Sequence, residues 1–80
     1  MDDEGDCTII GLPELLDGGQ HARILAANGN GEQVYLCAEV EQVRLLHASH
    51  QGKTHRYIGT RYRRMFGPPI IWIESISKKS

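Results

Sequence analysis

Between residues 53 and 64 the chain reads Lys-Thr-His-Arg-Tyr-Ile-Gly-Thr-Arg-Tyr-Arg-Arg, an alternation of cations with aromatic rings. Guanidinium and ammonium groups neutralise phosphates and release their counterions, and a Tyr face stacks on an unpaired base for roughly 1–3 kcal/mol. Together these residue types point to single-stranded nucleic acid or an RNA loop. If the segment is a strand, its side chains alternate between two faces. Lys53, His55, Tyr57, Arg61 and Arg63 then share one face, and Thr54, Arg56, Ile58, Thr60, Tyr62 and Arg64 share the other. Ile58 and Tyr62 mark the second face as the inward one. A preceding strand from Val43 to His50, turning back at Gln51-Gly52, would bring Arg44 and His50 onto the outward surface. The candidate nucleic-acid-binding residues are therefore Arg44, Lys53, His55, Tyr57, Arg61 and Arg63, with His50 beside them. The same cations also suit a solvated edge that resists edge-to-edge pairing, or a face that docks on another protein.

Other chemistries are less well supplied. His47, His50 and His55 with Cys7 or Cys37 include metal-ligand types, yet no closely spaced pair of cysteines is present, so no metal site is expected. A metal-free ribonuclease needs an acid, a base and a cation, and His55, Tyr57, Arg61 and Arg63 contain such types without an acidic base nearby in sequence. The expectation is a non-enzymatic protein without a cofactor. Asn28-Gly29-Asn30-Gly31 lacks the Lys-Ser/Thr ending of a phosphate loop and reads as a turn.

Charge gives the second signal. The net charge is -1, but residues 1–40 hold eight acids against Arg23 alone, and residues 41–80 hold eight bases against Glu41 and Glu74. The halves stand at -7 and +6. Asp2, Asp3, Glu4 and Asp6 are free to lie over the basic strand, competing with phosphate, to engage a basic partner, or to serve only as a solubilising tail, which is the commonest case. Opposed patches also suit a small regulatory or inhibitory protein steered onto a larger one.

These side chains must be positioned by a single small core, since 80 residues bury only about 60–65% of their unfolded surface. The acidic opening differs from a secretory signal, and the most apolar stretch, residues 70–73, is far shorter than a membrane span, which points to a cytoplasmic protein. Two cysteines read as reduced thiols, with Cys37 a small core residue.

Residues 1–7 read as a mobile acidic tail, 8–76 as one domain, and 77–80 as a basic tail. Pro13 near the start and Gly18-Gly19 at the exit predict a short helix over residues 12–19. Residues 21–27 and 32–38 flank Asn28-Gly29-Asn30-Gly31 and predict a hairpin; centred on Gly29-Asn30, it pairs Leu25 with Val34 and Arg23 with Leu36. Residues 39–50 fit either a helix, with Val40, Val43 and Leu46 or His47 on one side, or a strand from Val43; the strand gives a continuous meander and is preferred. Residues 70–76 read as a strand buried on both faces, with apolar surface to offer in self-association.

The fold class expected is α+β and sheet-dominated: a short N-terminal helix, then an antiparallel β-meander. This element order resembles the outline of small Sm-like or SH3-like barrels; the alternative is a ββαββ order with a helix at 39–50. No motif residue carries the resemblance, so it transfers no site.

Overall fold

The computed structural model describes residues 2–50 and 52–78, without the side chains of residues 49 and 50. His50's side chain, Gln51, Lys79 and Ser80 therefore lie outside the described residues. The chain is sheet-dominated, with six strands and one α-helix: β1 (Asp2–Ile9), β2 (Glu14–Leu16), β3 (His21–Asn28), β4 (Gln33–Glu39), α1 (Val40–His50), β5 (Thr54–Tyr62) and β6 (Ile70–Lys78). The strands run in the order β1-β5-β6-β4-β3-β2, and a further β1–β3 pairing closes five of them into a barrel. Four strands lie in the order β5-β1-β3-β4, with β5 returning after a long connection to lie beside β1, which is a Greek-key arrangement. The expected meander is corrected on this point: β4 pairs with β6 in parallel, and β5 pairs with β1 rather than with residues 43–50.

The clearest sequence signal gives the clearest local structure. Asn28 takes the backbone N–H groups of Asn30 and Glu32 on its side-chain oxygen at 3.0 and 2.9 Å. Its own N–H donates to the Glu32 carbonyl at 2.8 Å, and Gly31 sits at φ 82°, where glycine is favoured. The loop thus has three residues rather than two. Pairing shifts by one from the expected register, to Ile24 with Leu36, Leu25 with Tyr35, and Arg23 with Cys37. Ala22, Ile24, Ala26, Val34, Leu36 and Ala38 become the buried set.

Residues 1–7, expected to be a tail, enter the barrel from Asp2 onward. A strand needs an apolar or small residue only at every second position, and Gly5, Cys7 and Ile9 provide them, with Cys7 and Ile9 buried. The predicted N-terminal helix is also absent. Only four residues separate Pro13 from Gly18, and pairing with β3 claims Glu14–Leu16, while Gly18 and Gly19, at φ 66° and 98°, turn the chain back.

The helix lies instead at residues 40–50, the less favoured of the two readings. Val40, Val43 and Leu46 recur every three residues on one side; Val43 and Leu46 are buried, and Val43 and Val40 pack on the core containing Cys7, Ile9, Ile24, Leu36, Tyr57 and Ile71. Fully burying such an aliphatic side chain contributes roughly 1.5–3 kcal/mol, and only a helix turns all three to one side.

This placement inverts the expected face of β5. The period of two holds, yet His55, Tyr57 and Gly59 point inward and are buried, while Arg56 and Ile58 face out. Gly59 is required for closure, because a Cβ there would lie 2.2 Å from the Trp72 carbonyl of β6. The skipped residue opposite, Glu74, is a bulge in β6. The two-sided burial expected of β6 is not found: Ile71 alone in the strand is buried, Ile70, Ile73 and Ile76 are half-buried, and Trp72, Ser75 and Ser77 are exposed.

Candidate nucleic-acid interface

Corrected in register, the outer face of the hairpin carries His21, Arg23 and Leu25 on β3 and Tyr35 and Cys37 on β4. β6 continues this face with Ile70 opposite Tyr35 and Trp72 opposite Cys37. Arg23 is held by Glu14 on the neighbouring β2, whose Oε2 accepts from Nε and Nη2 at 3.1 and 2.9 Å. That clamp lays the guanidinium carbon 4.3 Å from the Tyr35 ring centroid. Arg64 approaches the same ring at 5.3 Å. Such contacts contribute about 0.5–1 kcal/mol each at exposed sites; their larger effect is to hold two cations at one aromatic ring. Trp72 meets the His21 ring edge-on at 5.3 Å, and His21 Nδ1 lies 3.0 Å from Asp17.

Above this face, the loop of residues 63–69 leaves β5. Gly67, at φ 86°, permits its turn, and Arg64 Nε donates to the Pro68 carbonyl at 2.9 Å, tying the loop back on itself. Met65 and Phe66 stand at its tip, 89% and 83% exposed. Between this loop and the β3–β4 turn lies a pocket of about 270 Å³ lined by Glu32, Arg61, Arg63, Arg64, Gly67 and Pro69. Arg63 is exposed, with no ion pair among the described residues. Arg61 is committed elsewhere: Asp3 Oδ2 accepts from its Nε and Nη2 at 3.1 and 2.9 Å and from the Tyr57 hydroxyl at 3.0 Å, and Glu32 Oε1 takes its Nη1 at 3.3 Å.

The six residues expected on one surface are divided among four places. Arg61 and Arg63 line the pocket. His55 and Tyr57 are inside the barrel, His55 donating Nδ1–H to the Lys53 carbonyl at 3.1 Å. Burial, together with the hydrogen bond to Asp3, pushes the Tyr57 phenol up to about 12. Arg44 belongs to α1, 3.7 Å from Glu41. Lys53 lies eight residues before Arg61, roughly 26 Å along an extended chain, and its hydrogen bond to the neighbouring Lys78, with its charge, holds that lysine below the usual range. Of the groups a ribonuclease would draw on, Tyr57 and Arg61 meet on the same Asp3 oxygen, and His55 is buried.

The acids of β1 lie alongside the basic strand, as one of the sequence alternatives had it, but as a paired strand of the barrel rather than as a tail laid over it. Asp3 holds Arg61, and Glu4 and Asp6 approach Arg56 at 3.6 and 3.3 Å. Both cysteines are free and buried; burial above all pushes each thiol up to about 11. No helix among the described residues is long and apolar enough to cross a membrane.

The residues missed from sequence are Arg23, Tyr35, Arg64, Phe66 and Trp72. The first two were visible as an alternating Arg-x-Leu and Tyr-x-Cys pair across the hairpin, and a three-residue loop would have put both on one face. No protein-family model matches the chain, and no curated protein matches it in sequence.

Proposed function

We propose that this chain is a non-enzymatic module that binds single-stranded nucleic acid, RNA or DNA. Its site is the outer face of β3, β4 and β6, together with the arginine-lined pocket. The observation that carries the reading is Tyr35 under Arg23 and Arg64, at 4.3 and 5.3 Å, next to a pocket in which Arg63 has no ion pair among the described residues. A guanidinium plane or an aromatic ring offers a stacking surface to any unpaired base, and Arg63 a partner for the adjoining phosphate. Trp72 and Phe66 extend the stacking surface in two directions. The wiring supports this by analogy: the barrel resembles the five-stranded Greek-key barrels that bind oligonucleotides and oligosaccharides on their second and third strands and on the loop between the fourth and fifth. Here those places are taken by β3, β4 and residues 63–69. Fold likeness alone does not transfer function, so the side chains carry the weight.

The test is a titration of a labelled single-stranded oligonucleotide at low salt, read by anisotropy and by the fluorescence of Trp72, the only tryptophan in the sequence. Saturable binding that weakens about tenfold in Tyr35→Ala and several-fold in Phe66→Ala is expected. No binding at low salt overturns the proposal.

A second reading, a regulatory protein docking on a larger partner, draws support from the exposure of Met65 and Phe66. Its charge-steered form loses ground, because Asp3, Glu4 and Asp6 are engaged with Arg61 and Arg56. Recovery of one stoichiometric protein partner after nuclease treatment, lost in Phe66→Ala, would favour it.

A further inference from the structure

The pocket contains a carboxylate where an anion is to bind, and the placement of that group is informative. Glu32 is fixed from both sides. Its backbone N–H and carbonyl are tied to Asn28 in the turn, and its Oε1 accepts from Asn28 Nδ2 at 2.9 Å and from Arg61 Nη1 at 3.3 Å. Both side-chain contacts fall on one oxygen, which leaves Oε2 as an acceptor on a residue that lines the pocket. An ionised carboxylate can only accept, so a ligand that profits from this oxygen must bring a donor. It must also bring an anion for Arg63 and for the terminal nitrogens of Arg64, whose Nε is already used by Pro68. Arg61, held by Asp3, acts here as the positioner of Glu32 rather than as a free cation.

We infer that this pocket selects RNA over DNA, with Glu32 accepting a hydrogen bond from the 2′-hydroxyl of a ribose whose adjoining phosphate is held by Arg63 and Arg64. The inference rests on the nucleic-acid reading above and names its substrate class. In a single strand the 2′-hydroxyl is the donor closest to the phosphate along the backbone. It is present at every RNA nucleotide and missing from DNA. Donors on base edges lie farther from the phosphate and would produce a base preference common to both polymers. Repulsion between Glu32 and phosphate disfavours both polymers alike, whereas the hydrogen bond is returned only by RNA.

The experiment compares RNA and DNA of the same mixed sequence, and the corresponding 2′-O-methyl RNA, by anisotropy at low salt with the full chain. A hydrogen bond to a charged acceptor predicts RNA bound about tenfold more tightly than DNA. The 2′-O-methyl RNA should fall to the DNA level. In Glu32→Ala the RNA-to-DNA ratio should approach one, whatever happens to the absolute affinities, and the wild-type comparison of the three polymers stands even if that variant folds poorly. Equal affinities in the wild type, or a preference that survives either 2′-O-methylation or Glu32→Ala, overturns the role given to Glu32 while leaving nucleic-acid binding intact. Failure of the wild type to bind any of the three overturns the nucleic-acid reading itself, and the inference with it.

Discussion

Replacing Arg63 with Ala removes one guanidinium from the pocket without touching an ion pair among the described residues, and counterion release fixes what should follow. For single strands the logarithm of affinity falls with the logarithm of salt at roughly 0.7 per phosphate neutralised. Four arginines border the site, but Arg23 and Arg61 already face carboxylates at 2.9 Å, so a phosphate gains little from them. Arg63 and Arg64 are left, and the expected slope is about -1.4. Raising salt from roughly 50 to 200 mM should then weaken binding about sevenfold. In Arg63→Ala the slope should flatten to about -0.7 and the loss shrink to about threefold. Arg44→Ala and Lys53→Ala should leave the slope unchanged, since Arg44 lies on α1 beside Glu41, Lys53 lies beside Lys78, and neither lines the pocket. Anisotropy titrations at four or five salt concentrations measure all of this. A slope unaltered in Arg63→Ala, or flattened as much by Lys53→Ala, would refute the placement of the site.

The remaining expectations concern what holds the site in place. Gly59→Ala puts a Cβ 2.2 Å from the Trp72 carbonyl, so β5 and β6 must part by about 1 Å. Overpacking and lost ladder bonds should cost about 3 kcal/mol, lowering the melting temperature by roughly 12–24 °C, whereas Gly29→Ala, with nothing within 4 Å, should stay within about 0.5 kcal/mol; equal melting temperatures would contradict the close approach. A double-mutant cycle on Asp3 and Arg61, each about one-quarter exposed, should return about 1 kcal/mol of coupling, and one on the more exposed Asp6 and Arg56 under about 0.5 kcal/mol; the reverse order would show that the Asp3 contact does not brace the pocket. Alkali should destabilise the fold. The ordinary values of 9.0 for Cys7 and Cys37 and 10.0 for Tyr57 rise to about 11 and about 12 on folding. Stability fully present below pH 9 is therefore lost as the pH climbs towards 12, because the unfolded chain releases these protons first; a melting temperature level from about pH 8 to 11.5 in reducing buffer would show that the groups are not buried as described.

What could be read from sequence follows the range of the interactions concerned. The Asn28 turn is made by Asn28, Gly31 and Glu32 themselves, and it was legible, apart from one residue of loop length that shifts the register. The helix at 40–50 and the strand at 54–62 each had a visible period, but a period does not fix its phase. Which face of β5 turns inward depends on Gly59 meeting β6 and on Asp3, Gly5 and Cys7 meeting β5, contacts between residues more than ten positions apart. The first strand was hidden for a related reason. Its acids suggest a solvated tail until Arg56 and Arg61, about fifty positions away, are placed beside them. The site was least legible, because Tyr35 and Arg64 acquire their meaning only when the parallel pairing of β4 with β6 brings the 63–69 loop over the hairpin.

The opposed charges of the two halves acquire a different sense in the barrel. Had the acids of residues 2–6 been free in solution, they would have competed with any phosphate. Built into β1 they are spent locally: Glu4 and Asp6 on Arg56 along the barrel wall, and Asp3 on Arg61 at the rim. At physiological salt a charge acts over roughly 8 Å, so pairs of this kind cancel at short range and leave little field at the pocket. The uncancelled charge there belongs to Arg63 and Arg64, and the carboxylate they face is Glu32. Near-neutrality of the whole chain is thus compatible with a local anion site. Asp3 has a second effect, because the bonds that remove Arg61 from the supply of free cations also fix its Nη1 against Glu32. Residues 3, 32 and 61, distant in sequence, therefore set together where the carboxylate that lines a basic pocket stands.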